Sequence, residues 1–484
     1  MARRIEPGQE FGGFRVIELM RRGGMATLWR VQQDTTGDML LMKVPVLNQG
    51  EDPAKIVGFE MEQMIMPRLK GAHVPRFVAN GDFAQDPFIV MELIEGTSLL
   101  PKLDVLPLPI AEVTEIAKKV ATALDSLHRQ RVVHLDIKPS NIMVRNSGDV
   151  VLIDFGLSRH LDLPDLVGEE FRLPYGTGPY MAPEQVMGIR HDFRSDFFAL
   201  GVLMYFFATG ERPFGDPQRL KGLQRRLWWD PAPPRSLRKD MPMWMQEIIL
   251  RCLEVNASRR YQNAGQLLFD LNHPDEVKLT ARAQKEKRDG FFQRLARKGE
   301  ALSHHIDHPG DPTQGLANAP IVAVAVDLNA MTQELAGALR QSVARIVERS
   351  SETRVACLNV LKLSRMTLDS STDEDGRNKH IARIVQLKDW ARTLDVPQAR
   401  ISYHVLEATD PADAILDYTR ANRVDHVVMG ARDNSTMRSL LGSVSGKVAT
   451  EAPCTVSVVR VRKDYDASDS GGDAGTSASS AGTA

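Results

Sequence analysis

The runs HLDIKPSNIMV (134–144) and IDFG (153–156) place two acids, Asp136 and Asp154, and one amide, Asn141, on two loops that interrupt strand-like sequence. Phosphoryl transfer needs a carboxylate that orients the attacking hydroxyl and accepts its proton. It also needs oxygen ligands for a Mg2+ ion bridging the nucleotide phosphates. Asp136 suits the first role, and Asn141 with Asp154 suits the second. Lys138, two residues after Asp136, puts a positive charge beside the group in transfer.

Several elements must hold these residues. Short strand-like runs come early, at Phe14–Met20, Leu28–Gln32, Met39–Val44 and Phe88–Leu93. A helix follows, with Ile116, Val120, Ala123, Leu124 and Leu127 on one face. This predicts a small β-rich lobe followed by a larger helical one. Beyond 320, apolar runs (IVAVAVD, RVACLNV, RISYHV, DHVVM, CTVSVVRV) alternate with helical patterns near 331–349, 380–394 and 411–421. Strands alternating with helices imply a parallel, doubly wound sheet.

Residues 11–273 resemble the eukaryotic-type protein kinase family. Lys43 in LLMKVP matches the third-strand lysine that pairs with the nucleotide phosphates, and Glu62 in FEMEQMIMPRL the helical glutamate that orients it. VMELIEG puts Met91 at the gatekeeper and Glu92 and Leu93 at the adenine-binding hinge. YGTGPYMAPE ends in the closing motif Ala182, Pro183, Glu184. Asp196 in RSDFFALG matches the buried helix anchor, and Arg260 in SRRYQ the partner of Glu184. So many motifs in register make a specific signal. The resemblance implies an α+β bilobal kinase fold and a serine/threonine protein kinase with ATP and Mg2+ (Mn2+ as an alternative). Asp136, Lys138, Lys43 and Glu62 are its catalytic set, and Asn141 and Asp154 its metal ligands. Lys138 and Thr177 favour Ser/Thr acceptors.

Departures from the pattern are informative. The glycine-rich loop reads Arg21-Arg22-Gly23-Gly24-Met25-Ala26, so only Gly23 and Gly24 keep the backbone freedom that lets amides approach phosphate. The family's His-Arg-Asp is here His134-Leu135-Asp136; the missing arginine normally meets a phosphorylated activation-loop residue. Between Gly156 and Ala182 the hydroxyl residues are only Ser158, Tyr175, Thr177 and Tyr180. Switching by activation-loop phosphorylation is therefore expected to be absent. The competing reading is a pseudokinase, a nucleotide-binding scaffold in stress signalling. Intact Lys43, Asp136, Asn141 and Asp154 argue against it; Arg21 and Leu135 argue for it.

VAVD (324–327) and the stretch GARDNSTMRSLLGSVSGKVATEAPCTVSVVRV resemble the universal stress protein family over 320–462. The resemblance implies an α/β, Rossmann-like parallel-sheet domain. Asp327, Gly430, Arg432, Gly442, Ser443 and Val444 match its ATP-binding positions, beyond the strand ends and at a helix start. Asp433 replaces the second loop glycine, and the loop is one residue short. Nucleotide sensing and homodimerisation both stay open.

Composition bounds the rest. The 484 residues carry 61 Lys plus Arg against 62 Asp plus Glu, and 43% are hydrophobic, so cores are affordable and no global charge drives nucleic-acid or membrane binding. Scattered Cys252, Cys357 and Cys454 argue against a disulfide framework. The apolar stretch Phe197–Ala208 is too short for a membrane span. A cytoplasmic protein is expected. Residues 274–319 read as a charged helix and flexible linker, and 463–484 as a disordered tail. Phe291 and Phe292 are expected to dock on the kinase lobe. HHIDH (304–308) reads as linker rather than metal site, His128 as structural, and Trp228 and Trp229 as packing residues.

Overall fold

The computed structural model describes residues 5–47, 53–171, 173–217, 219–287, 319–348, 352–363, 378–431 and 442–461. The first lobe is an antiparallel sheet of β1 (Glu10–Phe11), β2 (Phe14–Arg22), β3 (Ala26–Gln32), β4 (Met39–Pro45), β5 (Phe77–Gly81) and β6 (Phe88–Glu92). Its order is β1-β2-β3-β4-β6-β5. Alternation along β3 and β4 buries Trp29, Val31, Leu40 and Met42 on one face. Helix α1 (Pro53–Ile65) starts on a proline, which cannot donate to a preceding turn and so suits a first helical position.

The second lobe is built on α2 (Ile110–Arg129), where Val113, Ala117, Val120, Leu124 and Leu127 form the buried stripe. It packs on α4 (Arg194–Thr209), which follows the five-residue α3 (Leu166–Glu170) in the chain. Helix α4 is buried on nearly every side and ends at Gly210, whose φ of 77° is the left-handed cap that glycine adopts without strain. The lobe also carries the short strands β7 (Gly96–Ser98), β8 (Val132–Val133), β9 (Ile142–Arg145), β10 (Val150–Leu152) and β11 (Arg159–His160), and it closes with α5 (Met243–Cys252) and α6 (Ala264–Asn272).

One boundary differs from the sequence expectation. The chain from 274 to 287 is packed against α5 rather than free. Arg282 pairs with Glu247 (2.9 Å) and Glu254 (2.7 Å), and the buried Gln246 amide donates to the carbonyls of Arg282, Ala283 and Lys285. Charge in this stretch complements the buried Glu247 of α5 and the half-buried Glu254 just beyond it, which composition alone could not distinguish from a solvated linker. The Phe291–Phe292 pair, HHIDH and the tail lie outside the described residues.

The C-terminal domain is a five-stranded sheet of β12 (Ile321–Ala325), β13 (Arg354–Lys362), β14 (Ile401–Ala408), β15 (His426–Gly430) and β16 (Thr455–Val459), all neighbours parallel, ordered β14-β13-β12-β15-β16. Its connecting helices are α7 (Gln333–Val347), α8 (Lys379–Ala391), α9 (Pro411–Ala421) and α10 (Ser443–Glu451). Side chains of Thr332, Asn378 and Asp410 cap the first three by accepting from backbone amides. Among the described residues no helix is long and apolar enough to cross a membrane.

The two domains share a continuous apolar core. The edge strand β14 meets α3, whose Glu169 accepts from the Asp165 backbone N–H at 3.3 Å and finds its remaining partners in the C-terminal domain. Arg354 pairs with its carboxylate, His404 Nε2 lies 3.1 Å away, and Tyr418 Oη (3.2 Å) and Ser402 Oγ (3.4 Å) donate to it. Asn422 donates to the Glu169 carbonyl at 3.1 Å. On the neighbouring turn, Glu170 lies 3.5 Å from His404 Nδ1 and 3.7 Å from His380 Nε2. Neither nitrogen of His404 makes a well-directed hydrogen bond, so its attraction to these acids is that of an ion pair.

Burial opposes charge on His404, but Glu169 and Glu170 outweigh it and raise the imidazole to about 9. Burial works against the Glu169 carboxylate, yet Arg354 and His404 hold it below the carboxylate range. A raised histidine stabilises the fold below its unfolded value and loses that contribution as pH rises through the folded one. Thermal stability of the full chain should therefore fall between about pH 6.5 and 9, by roughly 3 kcal/mol at most, as thermal unfolding across that range would measure. His404→Gln should flatten that dependence; equal slopes in both proteins would remove the ion pair from the account.

Candidate active site

The site forms where β4, α1 and two loops converge. Lys43, on the central strand β4, donates to Glu62 of α1 (2.5 Å) and to Asp154 (2.9 Å). Burial works against the ammonium, yet Asp154 and Glu62 raise it above the ordinary lysine value. Lys43 in turn lowers Asp154. Glu62 is 2% exposed while Asp154 is 41% exposed, so the triad runs from the core outward into the cleft.

The catalytic loop follows α2 through β8 (Val132–Val133). Asp196 at the start of α4 accepts from the backbone N–H of both His134 and Leu135 at 2.9 Å, and His128 of α2 meets it at 2.8 Å. Leu135 and Asp154 are held at φ of 63° and 69°, a left-handed region that costs a non-glycine residue energy and persists only where neighbours fix it. Leu135 packs with Val133, Leu161 and Phe193, so the position of the absent arginine is filled by an apolar cluster.

Around Asp136 three donors converge: Thr177 Oγ1 at 2.7 Å, Lys138 Nζ at 2.6 Å and Asn141 Nδ2 at 2.9 Å. Lys138 also donates to Thr177 at 2.9 Å. The carboxylate is thus oriented and charge-balanced while one oxygen already receives a hydroxyl. Asn141 Oδ1 accepts from Ser140, and Asp154, which accepts from Lys43, is 41% exposed toward the cleft.

The remaining expected residues fall as follows. Gly23 and Gly24 lie at the exposed turn between β2 and β3, where the Gly23 amide donates to Ala26 and Lys55 of α1 donates to the Gly24 carbonyl. Arg21 and Arg22 are exposed. Met91 is buried at the end of β6 and Leu93 is half-buried. The Glu92 side chain turns to Arg145 (2.5 and 3.1 Å), so it ties the hinge to the second lobe. Glu184 and Arg260 form a fully buried bidentate pair at 2.6 and 2.8 Å.

In the C-terminal domain, Asp327 and Gly430 lie at the carboxyl ends of the adjacent strands β12 and β15, where the strand order reverses. Gly442 is the N-cap of α10, with Ser443 exposed and Val444 half-buried at its start. Arg432 and Asp433 lie outside the described residues.

Sequence reasoning missed Asp165, Glu60 and Glu169. Asp165 caps α3 and pairs with Arg190 at 3.0 Å. Glu60 and Glu62 are both buried on α1, at 4% and 1% exposure. Two buried acids two residues apart, about 200° around the helix, cannot share one face, which could have signalled that a second cation approaches from elsewhere.

The fold is that of a two-lobed protein kinase domain followed by a parallel α/β domain. The protein kinase domain model matches residues 14–270, more than half of the sequence, and the chain belongs to that family. The universal stress protein family model matches residues 320–460. The probable serine/threonine-protein kinase PknB of Lactococcus lactis is 27% identical over 271 residues, 55% of this chain and 43% of that protein. Serine/threonine-protein kinase PknL of Mycobacterium tuberculosis is 29% identical over 297 residues, 59% of this chain and 74% of that protein. The chain thus spans less than half the length of the first of these relatives. The crystal structure of the Mycobacterium tuberculosis PknI kinase domain is similar at 22% identity and a TM-score of 0.44, covering 56% of this chain and 99% of that one.

One close approach governs the Lys43 triad. A Cβ on Gly58 of α1 would stand 3.2 Å from the Gly156 carbonyl, in the loop that carries Asp154. A branched side chain there must push helix and loop apart. Gly58→Val should lower nucleotide affinity and reduce phosphoryl transfer about tenfold or more, a barrier increase of ~1.4 kcal/mol or greater. Titration with a fluorescent nucleotide checks the first effect, and labelled phosphate incorporation the second.

Proposed function

We propose that this chain is a serine/threonine protein kinase, transferring the γ-phosphate of ATP to protein hydroxyls, its own included. In this reading its universal stress protein domain biases that activity. The observation that carries the reading is the hydroxyl of Thr177 donating to Asp136 beside Lys138 (2.7 and 2.6 Å). The same carboxylate can accept the hydrogen bond of a substrate Ser or Thr hydroxyl and take its proton as the new O–P bond forms. Lys138 balances charge at that carboxylate, and Lys43, fixed by Glu62, is placed to meet the nucleotide phosphates. Asn141 and Asp154 would hold Mg2+, which when bound neutralises charge on the phosphates.

A second element concerns control. The activation segment is anchored by fixed carboxylates, Asp165 on Arg190 and Glu169 on Arg354, and Leu135 gives no cation to a phosphate. These features support a kinase that is not switched by phosphorylation of that segment. A phosphosite map with stoichiometric, activating phosphate within 157–175 would overturn it. For the C-terminal domain, the placement of Asp327 and Gly430 at adjacent strand ends, with Gly442 capping α10, supports a nucleotide-binding role, with self-association as the alternative.

Asp136→Asn in the full chain should retain ATP binding and lose about a hundred- to ten-thousand-fold in transfer, the range of a lost general base. Label from γ-labelled ATP with Mg2+, into the chain itself and a generic acceptor, measures this. Undiminished incorporation in the variant removes Asp136 from its role. Binding without incorporation in the unmodified chain favours the pseudokinase scaffold.

A further inference from the structure

Two acids of the kinase lobe find their cations in the other domain. Glu60 sits on α1 two residues before Glu62, and its carboxylate is 5% exposed. Lys388 of α8 donates to it at 2.5 Å, with its ammonium 5.7 Å from the centres of two rings, Phe83 of the kinase lobe and Tyr403 of β14. Glu169, 10% exposed, ends a helix too short to persist alone, and Arg354 at the first residue of β13 neutralises it. The start of that helix is held within the kinase by Arg190 on Asp165.

A buried carboxylate without its cation is costly, whereas the matched pair is not. Undocking the C-terminal domain removes both cations and hands the two carboxylates to water, so the ties that hold α1 and α3 from that side are lost. A shift of the freed α1 carries Glu62 away from Lys43; a shift of α3 loosens the segment that leads to Thr177 and Asp136. In the docked arrangement both sets of contacts are complete, with Lys43–Glu62 at 2.5 Å and Thr177–Asp136 at 2.7 Å.

We infer that the universal stress protein domain is the positioning partner of the kinase lobe: Lys388 holds α1, and Arg354 holds α3, in the arrangement that phosphoryl transfer requires. The inference rests on the proposed kinase activity and adds to it the residues through which the second domain acts. Lys388 and Arg354 are positioning residues, since neither approaches the reacting atoms. Their contacts lie on β13, β14 and α8, and the Arg354 contacts gather toward the amino ends of the strands. Asp327 and Gly430 lie at the opposite, carboxyl ends.

The test uses the full chain as Lys388→Glu, Glu60→Lys, the double reversal, and Arg354→Gln, with ATP, Mg2+ and a Ser/Thr peptide acceptor. Lys388→Glu should lower kcat about tenfold with the KM for peptide little changed, and the double reversal should recover most of that loss. Hydrogen exchange should speed up in 53–65 for Lys388→Glu and in 165–171 for Arg354→Gln, while β12 and α4 stay protected. A merely structural contact would lower the melting temperature without this kcat split or the rescue. Unchanged kcat in every single variant, or a double reversal no better than Lys388→Glu, overturns the inference. If the unmodified chain transfers no phosphate, the kinase reading fails by itself. The exchange data then decide the positioning role, and unchanged protection of 53–65 and 165–171 overturns it.

Discussion

The ammonium of Lys43 lies between the carboxylates of Glu62 and Asp154, and the rest of the molecule is arranged to keep it there. One charge comes from a strand, one from a helix and one from a loop, so sheet, helix and loop must agree in position within a hydrogen-bond length. Burial raises the cost of any member losing its partners. That constraint explains the glycine at 58, where α1 runs against the Gly156 carbonyl, and the left-handed backbone at Asp154.

The same logic repeats through the protein. Asp196 fixes the catalytic loop by accepting two backbone N–H groups, and Arg260 holds Glu184 with both completely buried. Glu92 is spent on Arg145 across the hinge. Buried acids, each answered by a specific donor, set the geometry that apolar packing alone leaves loose. At the domain boundary Glu60 and Glu169 extend that pattern, with the answering cations drawn from a different fold. An α/β domain that packs its edge strand on a kinase activation helix covers the edge and matches the charges at once.

The local motifs were legible because their chemistry fixes spacing along the chain. Asp136, Lys138 and Asn141 share one loop, so their convergence follows from a few backbone dihedrals. The strand and helix order of 320–461 was likewise readable from alternation of apolar runs, including the helical pattern near 411–421 that became α9. The reading failed at 274–287. A charged stretch looks the same whether its charges face water or the buried Glu247 of α5 and the half-buried Glu254 just beyond it. It also missed Glu60, because periodicity assigns a helix one apolar face and gives no sign of which buried acid another domain will neutralise.

Sequence by itself determined the chemistry: which residues can accept a proton, hold a phosphate charge or bind a cation, and that two folds follow one another. These properties belong to residue types and short spacings, and they survive any docking of the domains. Tertiary structure decided the partnerships made across hundreds of residues, such as Lys388 with Glu60 and Arg354 with Glu169. It also set the apolar burial of Leu135 where a cation was expected. Such pairings depend on desolvation and direction at a surface formed only after both domains fold, and no local pattern encodes which surface that is.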